Sequence, residues 1–355
     1  FKPSAKFRTS DIFYLDILHR FRAYNRLIDN QLDAGNNTIA ITSYSSYLTG
    51  GLFTRKAVAK DNVLVTLGNN LSYFKIHNPN VSYPCHMEDF QLYSLEQARQ
   101  LPESLITKAT QVLEERVSGK YDASMPYMSK SMSQCTTALP YISGRVVILL
   151  HSFLDSPNTY KWAIFNDFWS WAEDTILFCN SHGIPIAIKP HPNQGKESRE
   201  VCLELKAKYP QSEIRAWIPA STNNSSIFSE NPSLIVSVYG SVAAEATYLN
   251  QAVLLCGDHP GINFNIATTA RTKAEYFNYL EDHENLPIGS KEDSILFTAL
   301  HYKNSFLNEN ISLWAHEKID GATAEAKPEL LNTIKANEYC GASTKKLLDL
   351  IDQQK

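Results

Sequence analysis

Residues 145–150 read RVVILL, and residues 151–157 follow at once as HSFLDSP. After Arg145 the run carries no polar side chain and is rich in β-branched residues, as a strand covered on both faces requires. It breaks into His, Ser, Asp and Pro, which cannot continue it. A helical period follows over 165–181 and closes at Gly183. The same alternation then recurs. IPIAI (184–188) stops at Lys189-Pro-His191-Pro192-Asn193, and a helical stretch covers 199–208. IRAWI (214–218) precedes a short helical segment at 225–230. LIVSV (234–238) runs into Tyr239-Gly240-Ser241, a helix is expected over 242–249, and AVLL (252–255) ends in Gly257-Asp258-His259-Pro260. Apolar strands alternating with short helices define an α/β unit with a parallel sheet.

Upstream the texture is weaker. Helical spacing is clear over 13–32, with basic residues between the apolar ones. TIAIT (38–42) and NVLVTL (62–67) read as strands, 44–51 as a Ser/Tyr/Gly loop, 95–117 as one or two polar helices and 121–139 as a loop. Three segments are therefore expected: an α/β domain over 1–140, a Rossmann-like domain over 141–300 and a helical tail over 301–355 packing across the domain junction. No internal repeat or low-complexity tract interrupts them.

Composition removes several classes. At 355 residues the chain is too long for one ordinary domain. With 43% hydrophobic and 20% charged residues it is neither disordered nor fibrous. A net charge of −4 excludes binding to nucleic acid by bulk charge. No apolar run approaches the ~20 residues of a membrane-spanning helix. The six cysteines, at 85, 135, 179, 202, 256 and 340, are too scattered for a metal knuckle or a disulfide framework. Buried, reduced thiols and a cytoplasmic location are expected. The chain opens on Phe1 rather than Met, so some N-terminal sequence is expected to be missing; no secretory signal is visible within it.

Open parallel sheets bind ligands beyond the carboxyl ends of their strands. The loops at that edge carry His151 and Asp155, Lys189 and His191, Gly240 and Ser241, and His259. Ser241 either caps the helix behind it or donates to an anion, and Gly240 lets a ligand approach the backbone. Lys189 and His191 can donate to a phosphate that gains charge as it departs. Asp155 is either a nucleophile or general base, or an Asx residue ordering its turn. Glu245 either reaches a ribose hydroxyl or lies on the surface. Trp217 either lines a nucleobase pocket or packs in the core. No DxD, HExxH or clustered Cys/His marks a metal site.

Taken in order, His151-Ser-Phe-Leu-Asp155, Lys189-Pro-His191-Pro192, Val238-Tyr239-Gly240-Ser241-Val242-Ala-Ala-Glu245-Ala246 and Leu255-Cys-Gly-Asp258-His259-Pro260 resemble the bacterial capsule-polysaccharide glycosyltransferases. Within these the likeness is to the retaining β-Kdo transferases of capsule and O-antigen assembly, over residues 140–270. The resemblance implies a GT-B architecture, two Rossmann-like domains facing a cleft. It implies CMP-β-Kdo as donor substrate; neither cofactor nor metal is expected, since no metal motif is present. It also implies His191 and Ser241 on the CMP phosphate. From their place at the strand edge, Lys189, Gly240, Tyr239, Glu245, His151, Trp217 and His259 are further candidates for the donor site. Asp155 matches the family's nucleophile, and Glu88 is either its acid/base partner or a solvated loop carboxylate. For the sugar carboxylate, Lys189, Lys161 and Arg145 remain open. The acceptor would be a saccharide or lipid-linked glycan; Tyr44 and Tyr47 either hold it by stacking or pack in the core. Lys2, Lys6, Arg8, Arg20, Arg22 and Arg26 either form a solvated face or serve peripheral contact with the inner face of the inner membrane. Two other readings stand: an inverting, sialyltransferase-like enzyme with Asp155 as general base, and a non-catalytic nucleotide-binding module of a polysaccharide assembly complex.

Overall fold

The computed structural model describes residues 12–32, 39–42, 48–60, 62–67, 74–77, 94–118, 139–155 and 162–307. In chain order these form α1 (Ile12–Gln31), β1 (Ile39–Thr42), α2 (Leu48–Ala59), β2 (Val63–Leu67), β3 (Phe74–His77), α3 (Leu95–Arg99), α4 (Glu103–Val117) and β4 (Val146–Leu149). Then come α5 (Phe168–Ser181), β5 (Ile186–Lys189), α6 (Lys196–Lys208), β6 (Arg215–Trp217), α7 (Asn224–Phe228), β7 (Leu234–Ser237) and α8 (Val242–Tyr248). β8 (Val253–Leu255), β9 (Thr268–Thr269), α9 (Lys273–Glu281) and α10 (Lys291–Leu307) complete the set. They divide into two compact units.

The smaller unit has a sheet in the order β1-β2-β3, with β1 and β2 parallel and β3 antiparallel to β2. Its core is Ile28, Leu32, Ala40, Ala57 and Leu64. The end of α1 is tied to α2 by two lysines. Lys56 donates to Asn25 O and Lys60 to Asp29 O, both also pairing with the Asp29 carboxylate. The Lys60 contact satisfies a carbonyl that the helix end leaves open. The loop expected over 44–51 is corrected by α2, which already includes Gly50 and Gly51. Glycine is a poor helix former, but burial of Ala57 and the packing of Leu52 and Phe53 against the core hold the helix.

The larger unit carries a six-stranded parallel sheet in the order β6-β5-β4-β7-β8-β9. Numbered by sequence this is 3-2-1-4-5-6, the doubly wound order, and its direction reverses between β4 and β7. β4, β5 and β7 are buried at every position. Their alternate side chains feed two cores. Val146 and Ile148 pack with α5, α6 and α9 through Phe168, Trp171, Leu205 and Tyr276. Val147 and Leu149 pack with α7, α8 and α10 through Ile227, Phe228, Ala243 and Leu296. This two-sided burial is why the strands read as unbroken apolar runs.

The expected boundary at 140 is also corrected. Helices α3 and α4 belong with the larger sheet: Ala98 is buried in its second core, and Leu95, Leu101 and Ile106 pack against it. Tyr248 Oη donates to Glu114 Oε1 at 3.3 Å, fixing α4 to α8. The apolar stripe of α4 needs a partner surface, and α8 supplies it. The tail expected to cross the junction lies, beyond residue 307, outside the described residues. Cys179, Cys202 and Cys256 are buried free thiols, and burial alone pushes Cys179 up to about 12. Cys85, Cys135 and Cys340 lie outside the described residues.

Candidate functional site

A cleft of about 270 Å³ opens at the carboxyl ends of β4, β5 and β7, at the reversal point of the sheet. Among the residues lining it are His151 and Asp155 after β4, Lys189 and His191 at the end of β5, and Tyr239, Gly240, Ser241 and Glu245 from β7 into α8. Segments far apart in sequence meet there because every strand of a parallel sheet ends at the same edge.

Lys189 is the last residue of β5 and only 4% exposed. Its Nζ donates to Asn224 Oδ1 at 2.8 Å. Desolvation pulls its pKa down to about 8, with Glu245 pulling the other way. Two residues on, His191 sits between Pro190 and Pro192, which stiffen the turn. Asn193 N–H donates to His191 Nδ1 at 3.2 Å. The neutral ring therefore carries its proton on Nε2, available to a ligand. Burial, then Lys189, hold its pKa below the ordinary value, while Asp155 raises it.

His151 is enclosed by Phe168, stacked at 4.5 Å, and by Tyr239 at 4.7 Å. Its Nε2 receives the Tyr239 N–H at 3.4 Å and lies 3.1 Å from Ser237 Oγ. An amide can only donate, so Nε2 accepts and the proton rests on Nδ1. Desolvation, and secondarily His191, bring its pKa down to about 3.

Gly240 has φ of +145°, which side chains rarely adopt; the nearest atom to an added Cβ is 4.0 Å away, so backbone conformation rather than crowding demands glycine. Ser241 opens α8 in helical geometry, and its hydroxyl makes no capping bond. The simple cap is thus not what Ser241 forms. With seven residues, α8 has only a short dipole, so attraction for an anion falls mainly to the cations. Asp155 stands exposed at the rim, its N–H donating to Ser152 O at 3.0 Å to close a turn.

Two lining residues carried no sequence signal. Asn224, at the start of α7, orients Lys189. Arg116, in the last turn of α4, lines the cleft at 6% exposure.

Three expectations are corrected. Trp217 does not line the cleft: it is buried in the core, its indole donating to Tyr209 O at 2.9 Å. His259 is 3% exposed, bonded to Thr269 Oγ1 at 3.0 Å, and also does not line it. Arg145 is at the opposite, amino edge of the sheet, donating to Ile186 O and Glu213 O. Glu88, Lys161, Tyr44, Tyr47, Lys2, Lys6 and Arg8 lie outside the described residues. Among the described residues, no three His, Cys, Asp or Glu side chains gather as a metal ion would need, and no helix is long and apolar enough to cross a membrane.

His259 is held, like His151, at about 3, chiefly by burial. Both folded values lie below the ordinary 6.5, so the unfolded chain takes up the protons first. This contribution to stability is complete above pH 6.5 and is lost as pH falls toward 3. Between pH 7 and pH 5 the pair is expected to lower unfolding free energy by about 4 kcal/mol. Urea denaturation at pH 7, 6 and 5 checks this; His259→Gln, which does not titrate, should roughly halve the slope.

Fold and cleft together define a doubly wound α/β protein with a cleft of mixed charge at its sheet reversal. No protein-family model matches the sequence, and no curated protein matches it. Among solved structures, the chain is similar to the β-Kdo 2,4-transferase of Thermosulfurimonas dismutans KpsC, at 14% identity and TM-score 0.44, covering 74% of this chain and 78% of that one. It is similar to the β-Kdo 2,7-transferase of the same KpsC, at 11% identity and TM-score 0.39, covering 82% and 88%. It is also similar to the UDP-GlcNAc 2-epimerase of Methanocaldococcus jannaschii in complex with UDP-GlcNAc and UDP, at 12% identity and TM-score 0.35, covering 80% and 79%.

Proposed function

We propose that this chain is a glycosyltransferase of GT-B architecture that moves Kdo from CMP-β-Kdo to a saccharide acceptor with retention. The observation that carries the reading is the meeting of Asp155, Lys189, His191 and Ser241, from three separate loops, in one cleft. Lys189, His191 Nε2–H and the Ser241 hydroxyl would hold the CMP phosphate, whose charge grows as it leaves. Asp155 would attack carbon 2 of the sugar as the carbon–oxygen bond to phosphate breaks, the bonding electrons leaving with CMP. The acceptor oxygen then attacks the same carbon, the bond to Asp155 breaks, and the acceptor proton passes to a base, for which Glu88 is the candidate. Two inversions give a β-linked product, the double-displacement logic of retaining glycosidases. No metal or cofactor enters this scheme.

The acceptor in this reading is a glycan, free or lipid-linked. The exposed Arg22 and Arg26 of α1 are suited to an anionic membrane surface at the cytoplasmic face. One specific observation favours a second reading. Asp155 is exposed beside His191, whose pKa it raises, an arrangement that also suits a general base in an inverting transfer. Incubation with CMP-Kdo and a panel of saccharide acceptors, followed by NMR of the product, separates the two. A β-linked product is expected; an α-linked product would make Asp155 the base. CMP binding with no transfer to any acceptor would leave a non-catalytic nucleotide-binding module.

A further inference from the structure

Two histidines line the cleft, and backbone amides fix the proton of each. In His191 the Asn193 N–H occupies Nδ1, which leaves the hydrogen on Nε2. In His151 the Tyr239 N–H occupies Nε2, which leaves the hydrogen on Nδ1. A flip of the His151 ring would set carbon against that amide, and its neighbours clamp it. It stacks on Phe168 with 9° between the planes, meets Trp171 edge-on and packs against Tyr239. Its Nδ1–H finds no acceptor among the described residues. That nitrogen is nevertheless not sealed from solvent, and the cleft is the space the half-buried ring lines. An N–H in such a place weakens the fold unless a ligand or water accepts from it. The two rings are also near enough that a charge on His191 disfavours one on His151.

We propose that His151 is a further phosphate-binding residue, its Nδ1–H donating to an oxygen of the same phosphate that takes the His191 Nε2–H. This rests on the glycosyltransferase reading, which puts the phosphate at His191 and Ser241, and it gives His151 a part in that site. The Tyr239 amide that sets the tautomer also leads into Gly240 and Ser241, so one ring pins the turn and reaches what the turn holds. Burial keeps this ring uncharged at pH 7. A neutral donor suits a cleft that already buries Lys189, because another interior cation would be costly, whereas an N–H bond to an anion is strong without one. Each ring has one nitrogen engaged by an amide and the other already protonated. Neither can take up the acceptor's proton, so both hold the leaving group and neither serves as the base.

Long-range proton–nitrogen NMR on protein isotope-labelled at the histidine rings tests this, with His151→Gln and His191→Gln identifying the two sets of signals. Free wild type should show His151 protonated on Nδ1 and accepting at Nε2. Saturating CMP should shift both donor protons, Nδ1–H of His151 and Nε2–H of His191, whereas cytidine, which lacks the phosphate, should leave them in place. By calorimetry, His151→Phe, which keeps a stacked ring without the donor, should bind CMP about 10- to 100-fold more weakly. His151→Gln, whose amide offers both a donor and an acceptor, should recover part of that loss. A proton on Nε2 of His151, an Nδ1–H that CMP moves no more than cytidine does, or wild-type CMP affinity in His151→Phe would each overturn the assignment. A His191 signal still shifted by CMP would then leave the function standing. A wild type in which CMP moves neither ring would overturn both. Should His151→Phe fail to fold, the wild-type spectra decide.

Discussion

Asp155→Ala is expected to abolish Kdo transfer while leaving the fold and CMP binding intact. The side chain stands at the rim of the cleft in a turn closed by backbone, Asp155 N–H to Ser152 O, so the turn does not depend on the carboxylate for that bond. An exposed substitution of this kind changes stability by no more than about 0.5 kcal/mol. The chemistry depends on the carboxylate altogether in the proposed scheme, because the sugar must be held covalently between two inversions. Removing a group that acts as part of a catalytic unit costs roughly 10³-fold or more in turnover. CMP release with a glycan acceptor measures the loss, and intact mass measures the step itself. Wild type incubated with CMP-Kdo and no acceptor should gain the mass of one Kdo residue, and Asp155→Ala should not. Wild-type turnover in Asp155→Ala would remove the carboxylate from the mechanism, whatever the product's anomeric configuration.

The parts of this molecule that could be read from sequence are those where burial is two-sided. The central strands β4, β5 and β7 are apolar, save for the last residues of β5 and β7, because helices cover both faces, and the loops after them are polar because they face the cleft. Position at the carboxyl edge was therefore legible, but side-chain direction was not. Trp217 ends β6, yet it turns to the α5–α6 face and bonds to Tyr209 O. His259 follows β8, yet its ring is consumed by Thr269. Arg116 was hidden for another reason. A basic residue in the last turn of a helix is commonplace as a complement to the dipole, so nothing in the pattern of α4 marks it as facing a cleft. The boundary at 140 failed likewise, since α3 and α4 look polar until α8 is present to receive their apolar stripe. The two-residue β9 is too short for any periodicity to report.

Lys189→Met should weaken nucleotide binding and stabilise the protein at the same time. The folded pKa of Lys189, about 8, lies below its ordinary 10.5 because burial disfavours the charge. For a base shifted in this direction the unfolded chain holds the proton more tightly. The stability the neutral amine would contribute is complete above pH 10.5 and is lost as pH falls through 8. At pH 7 the charged side chain therefore costs about 3 kcal/mol relative to a neutral one. Methionine is of similar length and unbranched and would forfeit the charged hydrogen bond to Asn224, about 1.5–2 kcal/mol, whose oxygen is half-buried and can turn to water. The net expectation is a gain of about 1–2 kcal/mol, read as a higher urea midpoint at pH 7 with an unchanged slope. Affinity for CMP should fall about 10- to 100-fold, the worth of a charged hydrogen bond. It should also lose its pH dependence: wild-type affinity declines above pH 8 as the ammonium deprotonates, while the variant's stays flat across that range. A lower midpoint with unchanged CMP affinity would mean that the ammonium serves the protein's own architecture. The opposite pairing, a firmer fold that no longer holds the nucleotide, is what a cation kept in the interior to bind a phosphate must produce.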